Sequence, residues 1–224
     1  MEITVLWRYD NCVMVSRSIA PGASLRERVL AAARRRFLAG GLEALAVRAI
    51  AEEAGCTTMA VYTHFGGKDG LVQLFFDEGF ERLAEAQRGV PASLAPIERG
   101  VALCRAYRTV AHMYPHHYDL MLGARSGQFT PAPESRRRAL ATIEHLIDAL
   151  EPLHVARPNA RRAATDHAHA VIAYCHGWVA LERGGLLVPD AHGDAAFASG
   201  AAAVLTGGVA APPSATEQRR RRPR

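Results

Sequence analysis

AGCTTMAVYTHFGGKDGL, residues 54–71, places a tyrosine, a histidine and a phenylalanine within four positions, between Gly55 and the pair Gly66 and Gly67. Such a cluster can line a pocket, fill a core or face a partner, and its flanks decide among these. Thr57 is a good helix cap, so Thr58 to Thr63 reads as a short helix that the glycine pair closes. Upstream, VRAIAEEAG sets Val47, Ile50, Ala51 and Ala54 at helical spacing over barely two turns before Gly55 ends the element. Before that, SLRERVLAAARRRFLAGG opens on a capping box, Ser24 with Glu27, and repeats Leu25, Val29, Ala33 and Phe37 on one face before Gly40 and Gly41. Three helices in about 45 residues, the last two short and joined by a glycine-bearing turn, form the layout of a helix-turn-helix.

Beyond that head, KDGLVQLFFDEGFERLAEAQ predicts a longer connecting helix that packs back through Leu71, Leu74, Phe75 and Glu78. Helical spacing continues at about 95–113, 116–123, 134–151, 158–184 and 192–206, with no sustained period-two alternation, so the fold class is all-α. The expected organisation is an uncertain, disordered leader at 1–22, a DNA-binding head at 23–69, a larger helical body at 70–206, and a basic disordered tail at 207–224. Met14 is an alternative start to Met1, and GARSGQFTPAPES reads as a disordered or mobile loop.

The 224 residues, 49% of them hydrophobic, can bury a substantial core. The net charge of +5 favours anionic partners, although much of it sits in QRRRRPR at the end. Four widely spaced cysteines, Cys12, Cys56, Cys104 and Cys175, make neither a disulfide framework nor a zinc ribbon and fit a reducing, cytoplasmic setting. No membrane partner is expected, because no apolar run reaches the roughly 18 residues of a spanning helix. The opening residues make a poor signal peptide.

The anchors Ile50, Ala51, Ala54, Gly55, Tyr62, His64, Phe65, Lys68 and Leu71, with Phe37 and Gly41 upstream, resemble the TetR family of bacterial transcriptional regulators over residues 24–75. Helix geometry agrees with that likeness. Thr58, Met59 and Ala60 form the first turn of the third helix, the part that meets base edges in the major groove. Met59 and Ala60 offer apolar contact, as with thymine methyls, and Thr58 is the polar reader. Arg48 can reach a phosphate or a guanine edge, and the resemblance implies phosphate contacts at Tyr62, His64 and Lys68. Thr57 and Thr63 complete the expected DNA-contacting set. Val61 and Phe65 are assigned to the core, and Arg34 to Arg36 to a solvated face with a phosphate contact as the alternative. Ala46 gives the second helix no hydroxyl cap, and Gly70 is expected to weaken the fourth helix.

Downstream, Arg105, Tyr107, Pro115, Tyr118 and Met121, then His176, Gly177, Leu181 and Glu182, resemble the ligand-binding domain of TetR-like proteins with a Trp-His-Gly signature. That likeness implies a pocket lined by some of His112, Met113, Tyr118, Met121, Leu122, Tyr174 and Trp178, suited to an unidentified small hydrophobic effector. It also implies a homodimer through about 158–206, for which Ala168, Val171, Ile172, Cys175, Val179 and Ala180 are small or apolar at helical spacing. The partners are then double-stranded DNA with a palindromic operator, the effector and a second copy of the chain. The expected role is a repressor that the effector releases. An enzyme is not expected, since no Ser-His-Asp order, nucleotide loop or carboxylate pair is present. No cofactor is expected. The weighed alternatives are an all-α enzyme or metal protein, with Asp166, His169 and His176 as candidate ligands, and a protein-interaction module using the loop at 123–135.

Overall fold

The computed structural model describes residues 22–123 and 129–208. The leader before Gly22, both candidate starts, residues 124–128 of the expected loop and the tail after Gly208 lie outside the described residues. Among the described residues every regular element is helical and no strand occurs. In chain order these are α1 Leu25–Gly40, a 3₁₀ turn Gly41–Ala44, α2 Val47–Glu53, α3 Thr58–Phe65, α4 Lys68–Arg88, α5 Pro96–Met113, α6 Pro115–Met121 and α7 Pro133–Leu150. A second 3₁₀ turn Glu151–His154, α8 Ala160–Arg183 and α9 Ala191–Gly207 follow.

Local chemistry sets several ends. The Ser24 hydroxyl accepts from the Glu27 N–H at 3.3 Å while the Glu27 carboxylate accepts from the Ser24 N–H at 2.8 Å, a reciprocal cap. Asn159 accepts from the Arg162 N–H at 3.0 Å, so α8 begins after Pro158 and not at it. Asp190 caps α9 in the same way, through the Gly193 N–H at 2.7 Å. Pro115 occupies the first turn of α6, where its missing N–H costs nothing.

The described residues divide into two compact units, 22–79 with 112–123 and 129–136, and 80–111 with 137–208. This differs from a boundary near residue 69. In the first unit α6 packs with α1 and with the 3₁₀ turn that follows it. The Phe37 and Phe75 rings stack at 4.3 Å, 1° from parallel, and His117 meets Phe37 edge-on at 4.9 Å and 84°. A Cβ at Gly79 would overlap the Met121 sulfur, so α6 can approach α4 this closely only over a glycine. Val29, Leu45, Ile50, Val61 and Leu71 complete a core with no exposed surface. Each such side chain contributes about 1.5–3 kcal/mol by burial.

The second unit buries Leu103 and Cys104 of α5, Leu146 and Ile147 of α7, Val171, Cys175 and Val179 of α8, and Phe197 and Leu205 of α9. Two of its buried polar groups are matched by side chains from other elements. The Arg108 guanidinium forks onto Glu182 at 2.7 and 3.0 Å and adds Asp194 at 3.0 Å, and the Glu182 side chain has no exposed surface. His167 Nε2 lies 3.1 Å from the Val204 carbonyl, and a carbonyl only accepts, so Nε2 carries the proton. His167 Nδ1 must then accept from His154 Nε2, 3.1 Å away. Burial first, then His167 and Arg157, hold the His154 imidazole below the ordinary histidine range.

Candidate nucleic-acid interface

The first unit presents α3 at its surface. Val61 is fully buried, whereas Met59 is 70% and Tyr62 55% exposed, and Thr58, Thr63 and His64 are exposed beside them. Large apolar and aromatic groups left in water on a short helix mark a contact surface. The Thr57 hydroxyl oxygen accepts from the Ala60 N–H at 3.3 Å, which fixes the first turn. Its own proton is left to donate outward. The Thr63 hydroxyl instead donates to the Met59 carbonyl at 2.9 Å, so its proton is already used.

The two glycines after Phe65 hold the far end of α3. Gly66 adopts φ 70°, the left-handed cap, and sends its N–H to the Tyr62 carbonyl at 2.8 Å. Gly67 follows at φ 83°, and a Cβ there would stand 2.6 Å from the Tyr62 ring. The glycine pair therefore seats the tyrosine as well as ending the helix. Gly70, expected to weaken α4, turns out to be required: a Cβ there would overlap the Phe65 carbonyl oxygen. Ala46 caps α2 without any side-chain hydrogen bond, as its lack of a hydroxyl dictates.

Electrostatics sort the cations of this unit. Arg48 on α2 and Lys68, the chain's only lysine, are exposed and meet no carboxylate within ion-pair distance among the described residues. Arg34, Arg35 and Arg36 are different: they keep a partly exposed helix face, as expected, but each is held in an ion pair. Arg34 pairs with Glu78 at 3.1 Å, and Arg35 and Arg36 share Glu53 at 2.8 and 3.3 Å. Burial pushes Glu53 up, yet these two guanidiniums hold its carboxyl below the usual range. Phe65 is also corrected, since it is half-buried and carries the Arg26 guanidinium over its ring.

The remaining predicted residues fall in both units. His112, Met113, Tyr118, Met121 and Leu122 belong to the first, where Tyr118 and Met121 are core at 4% and 5% exposure. Tyr174 and Trp178 belong to the second, their ring centroids 5.9 Å apart and both against Phe197. The Tyr174 hydroxyl donates to the Phe197 carbonyl at 2.9 Å, and burial pushes its pKa up to about 12. The Trp178 N–H is buried with no hydrogen-bond acceptor among the described residues. His176 lies 3.4 Å from the Tyr107 hydroxyl, while Asp166 and His169 are exposed. Among the described residues no three His, Cys, Asp or Glu groups are placed to hold a metal ion.

Four of the six residues offered for a partner helix also need correction, while Ala180 stays exposed. Ala168, Val171, Cys175 and Val179 are buried within the chain itself, because that face of α8 serves its own unit. The free face of α8 carries Asp166, His169, Ala170, Ala173, Gly177, Ala180 and Leu181. A hydrophobic pattern read along one helix does not say which apolar flank is already covered.

A capped, exposed helix after a tight turn, with unpaired cations on its neighbours, defines a helix-turn-helix DNA-binding regulator. The model described as bacterial regulatory proteins, tetR family, matches residues 29–75, and the one described as tetracyclin repressor-like, C-terminal domain, matches residues 101–204. The chain belongs to the TetR family of transcriptional regulators. No curated protein matches it significantly. Among solved structures it is similar to the putative regulatory protein SCO4313, with a TM-score of 0.66 at 22% identity over 82% of this chain and 95% of that one. It is similar to BioQ of Mycobacterium smegmatis, TM-score 0.56 at 26% identity over 82% and 97%. A TetR variant of Acinetobacter baumannii AYE in complex with minocycline gives TM-score 0.56 at 21% identity over 81% and 94%.

Proposed function

We propose that the chain is a homodimeric, cytoplasmic repressor that reads a palindromic operator and is released by a small hydrophobic effector. The observation that carries the DNA reading is the exposed tip of α3, with Thr58, Met59 and Ala60 ahead of an outward Tyr62. In this reading Thr58 gives the polar base contact, Met59 and Ala60 touch thymine methyls, and Thr57, Tyr62, His64, Lys68 and Arg48 take phosphates. Thr63 leaves the donor set, because its proton serves Met59.

Dimerisation is supported by the small-residue faces left uncovered on α8, at Ala170, Ala173, Gly177 and Ala180, and on α9, at Ala195, Ser199 and Ala203. Such faces allow close helix approach. The effector reading is supported by the unmatched Trp178 N–H beside Tyr174, and by the minocycline held by a protein of similar fold. An effector lowers DNA affinity only by its preference for the form that binds DNA poorly.

The test is titration of the chain with the DNA upstream of its own coding region over a salt series. Sequence-preferring binding should weaken with a log–log slope of about −0.9 per phosphate contact. Equal affinity for every sequence would remove the operator reading. Sedimentation of the chain alone should give a dimer.

A further inference from the structure

The arginines of α1 are nearly all consumed by the fold. Arg28 donates to the Ala54 carbonyl at 3.2 Å and to the Ala23 carbonyl at 3.4 Å. Arg34 holds Glu78 at 3.1 Å, and Arg35 and Arg36 hold Glu53 at 2.8 and 3.3 Å. Arg26 is the exception. It is exposed and meets no carboxylate within ion-pair distance among the described residues. Its neighbour Glu27 feels its charge but forms no ion pair with it, because that carboxylate is turned into the helix cap, where it accepts from the Ser24 N–H at 2.8 Å and the Ser24 hydroxyl at 2.9 Å. One turn further along the helix stand Val29 and Leu30, which carry no charge.

Arg26 is nevertheless placed. Its Cζ lies over the Phe65 ring, 5.2 Å from the centroid. Phe65 ends α3, directly after His64 and three residues before Lys68, and is only half-buried. A guanidinium held over a ring by cation–π attraction spends no N–H donor on a carboxylate, and those donors are what grip a phosphate in a bidentate fork. The stack also restricts the side chain beforehand, so less rotamer freedom is lost on binding.

We infer that Arg26 is a DNA-phosphate contact pre-positioned by Phe65, extending onto α1 the backbone-contacting set of His64 and Lys68. This rests on the DNA-binding reading above. Phe65 then acts twice, since one ring closes the end of α3 and serves as the platform for a cation from another helix.

The experiment measures binding of the full chain to a short random-sequence DNA duplex by fluorescence anisotropy over a salt series, with the melting temperature of each variant recorded. Random sequence suffices, because phosphate contacts carry no base information. Arg26→Ala should weaken binding several-fold at low salt and flatten the log–log salt slope by about 0.9 per chain. Arg26→Lys should restore the slope and only part of the affinity, since it keeps the charge without the planar fork. Phe65→Leu should weaken binding with the slope retained, because the charge remains and only its placement is lost. Arg26→Ala with unchanged slope and affinity, while the wild type binds, would overturn the role of Arg26 alone. A wild-type chain that binds no duplex at low salt would overturn the DNA-binding reading itself, and this one with it.

Discussion

Arg108 and Lys68 are both cations on helices, and the structure treats them in opposite ways. Arg108, in the second unit, is saturated: two oxygens of a fully buried Glu182, one of Asp194, and the Phe197 ring with its centroid 5.4 Å away. Lys68, in the first unit, stands in water at the head of α4 with no carboxylate within ion-pair distance among the described residues. The contrast separates two uses of charge. A buried cation must be matched in the folded state, because desolvation leaves no other way to stabilise it. An unmatched one survives only where water solvates it, and there it is available to an incoming anion.

The largest expected effect is at the saturated site. Arg108→Ala removes the bidentate partner of a buried carboxylate, Glu182, and should cost about 3–5 kcal/mol in denaturant unfolding. Replacing both partners, Arg108→Met with Glu182→Leu, should recover much of that loss. A loss in the single variant below about 1 kcal/mol would put the pair in the class of ordinary surface bridges and blunt the contrast.

Lys68→Ala should do the reverse. Melting should move little, within about 0.5 kcal/mol for an exposed substitution, while the salt slope of DNA binding flattens by about 0.9. Because Lys68 is the only lysine, acylation by an amine-directed reagent reports this position and the chain terminus alone. Duplex DNA should slow its labelling, and labelling at an unchanged rate would remove Lys68 from the contact set.

The third expectation concerns protons. His154 is held below its ordinary value in the folded chain, so below about pH 6.5 the unfolded chain takes up a proton that the folded one refuses. Stability is full above that pH and declines as pH falls toward the folded value. The chain should melt at a lower temperature at pH 5 than at pH 7, and His154→Leu should reduce the difference. Equal pH dependence in that variant would place the proton elsewhere.

The smallest expected effects divide two hydroxyls. Thr57→Ala loses the α3 cap, worth about 1 kcal/mol, together with a phosphate donor. Thr63→Val removes only a bond to the helix's own backbone and should leave DNA affinity within about twofold. A larger loss at Thr63 than at Thr57 would reverse the hydroxyl assignment made from their hydrogen bonds.

The helices themselves were legible because their signals are local. The Ser24 to Glu27 box, the Thr57 cap and the Gly66 stop each act within one turn, and the structure returns each where the spacing predicted it. The outward α3 residues followed from the same register, since burying Val61 turns Met59 and Tyr62 to solvent. What failed depended on a neighbour from another element. Phe65 looked like core because an aromatic residue at the end of a short helix ordinarily is, and only the position of Arg26 shows the ring half open. Gly70 looked like a weak helix former, and only the approach of the Phe65 carbonyl explains it. Ala168, Val171, Cys175 and Val179, most of the α8 flank offered to a partner, were already covered by its own unit.

Sequence alone therefore determined an all-α chain with a helix-turn-helix near its start and the face of α3 that meets solvent, because caps, glycines and helical periodicity act over a few residues. Tertiary structure decided that α6 belongs with the head, that Arg34, Arg35, Arg36 and Arg108 are held in ion pairs, and that Arg26, Arg48 and Lys68 meet no carboxylate within ion-pair distance among the described residues. The physical reason is range. A capping hydrogen bond is closed by residues three apart, whereas whether a charge is neutralised depends on carboxylates that reach it from other helices, as Glu78 does across 44 residues and Glu182 across 74.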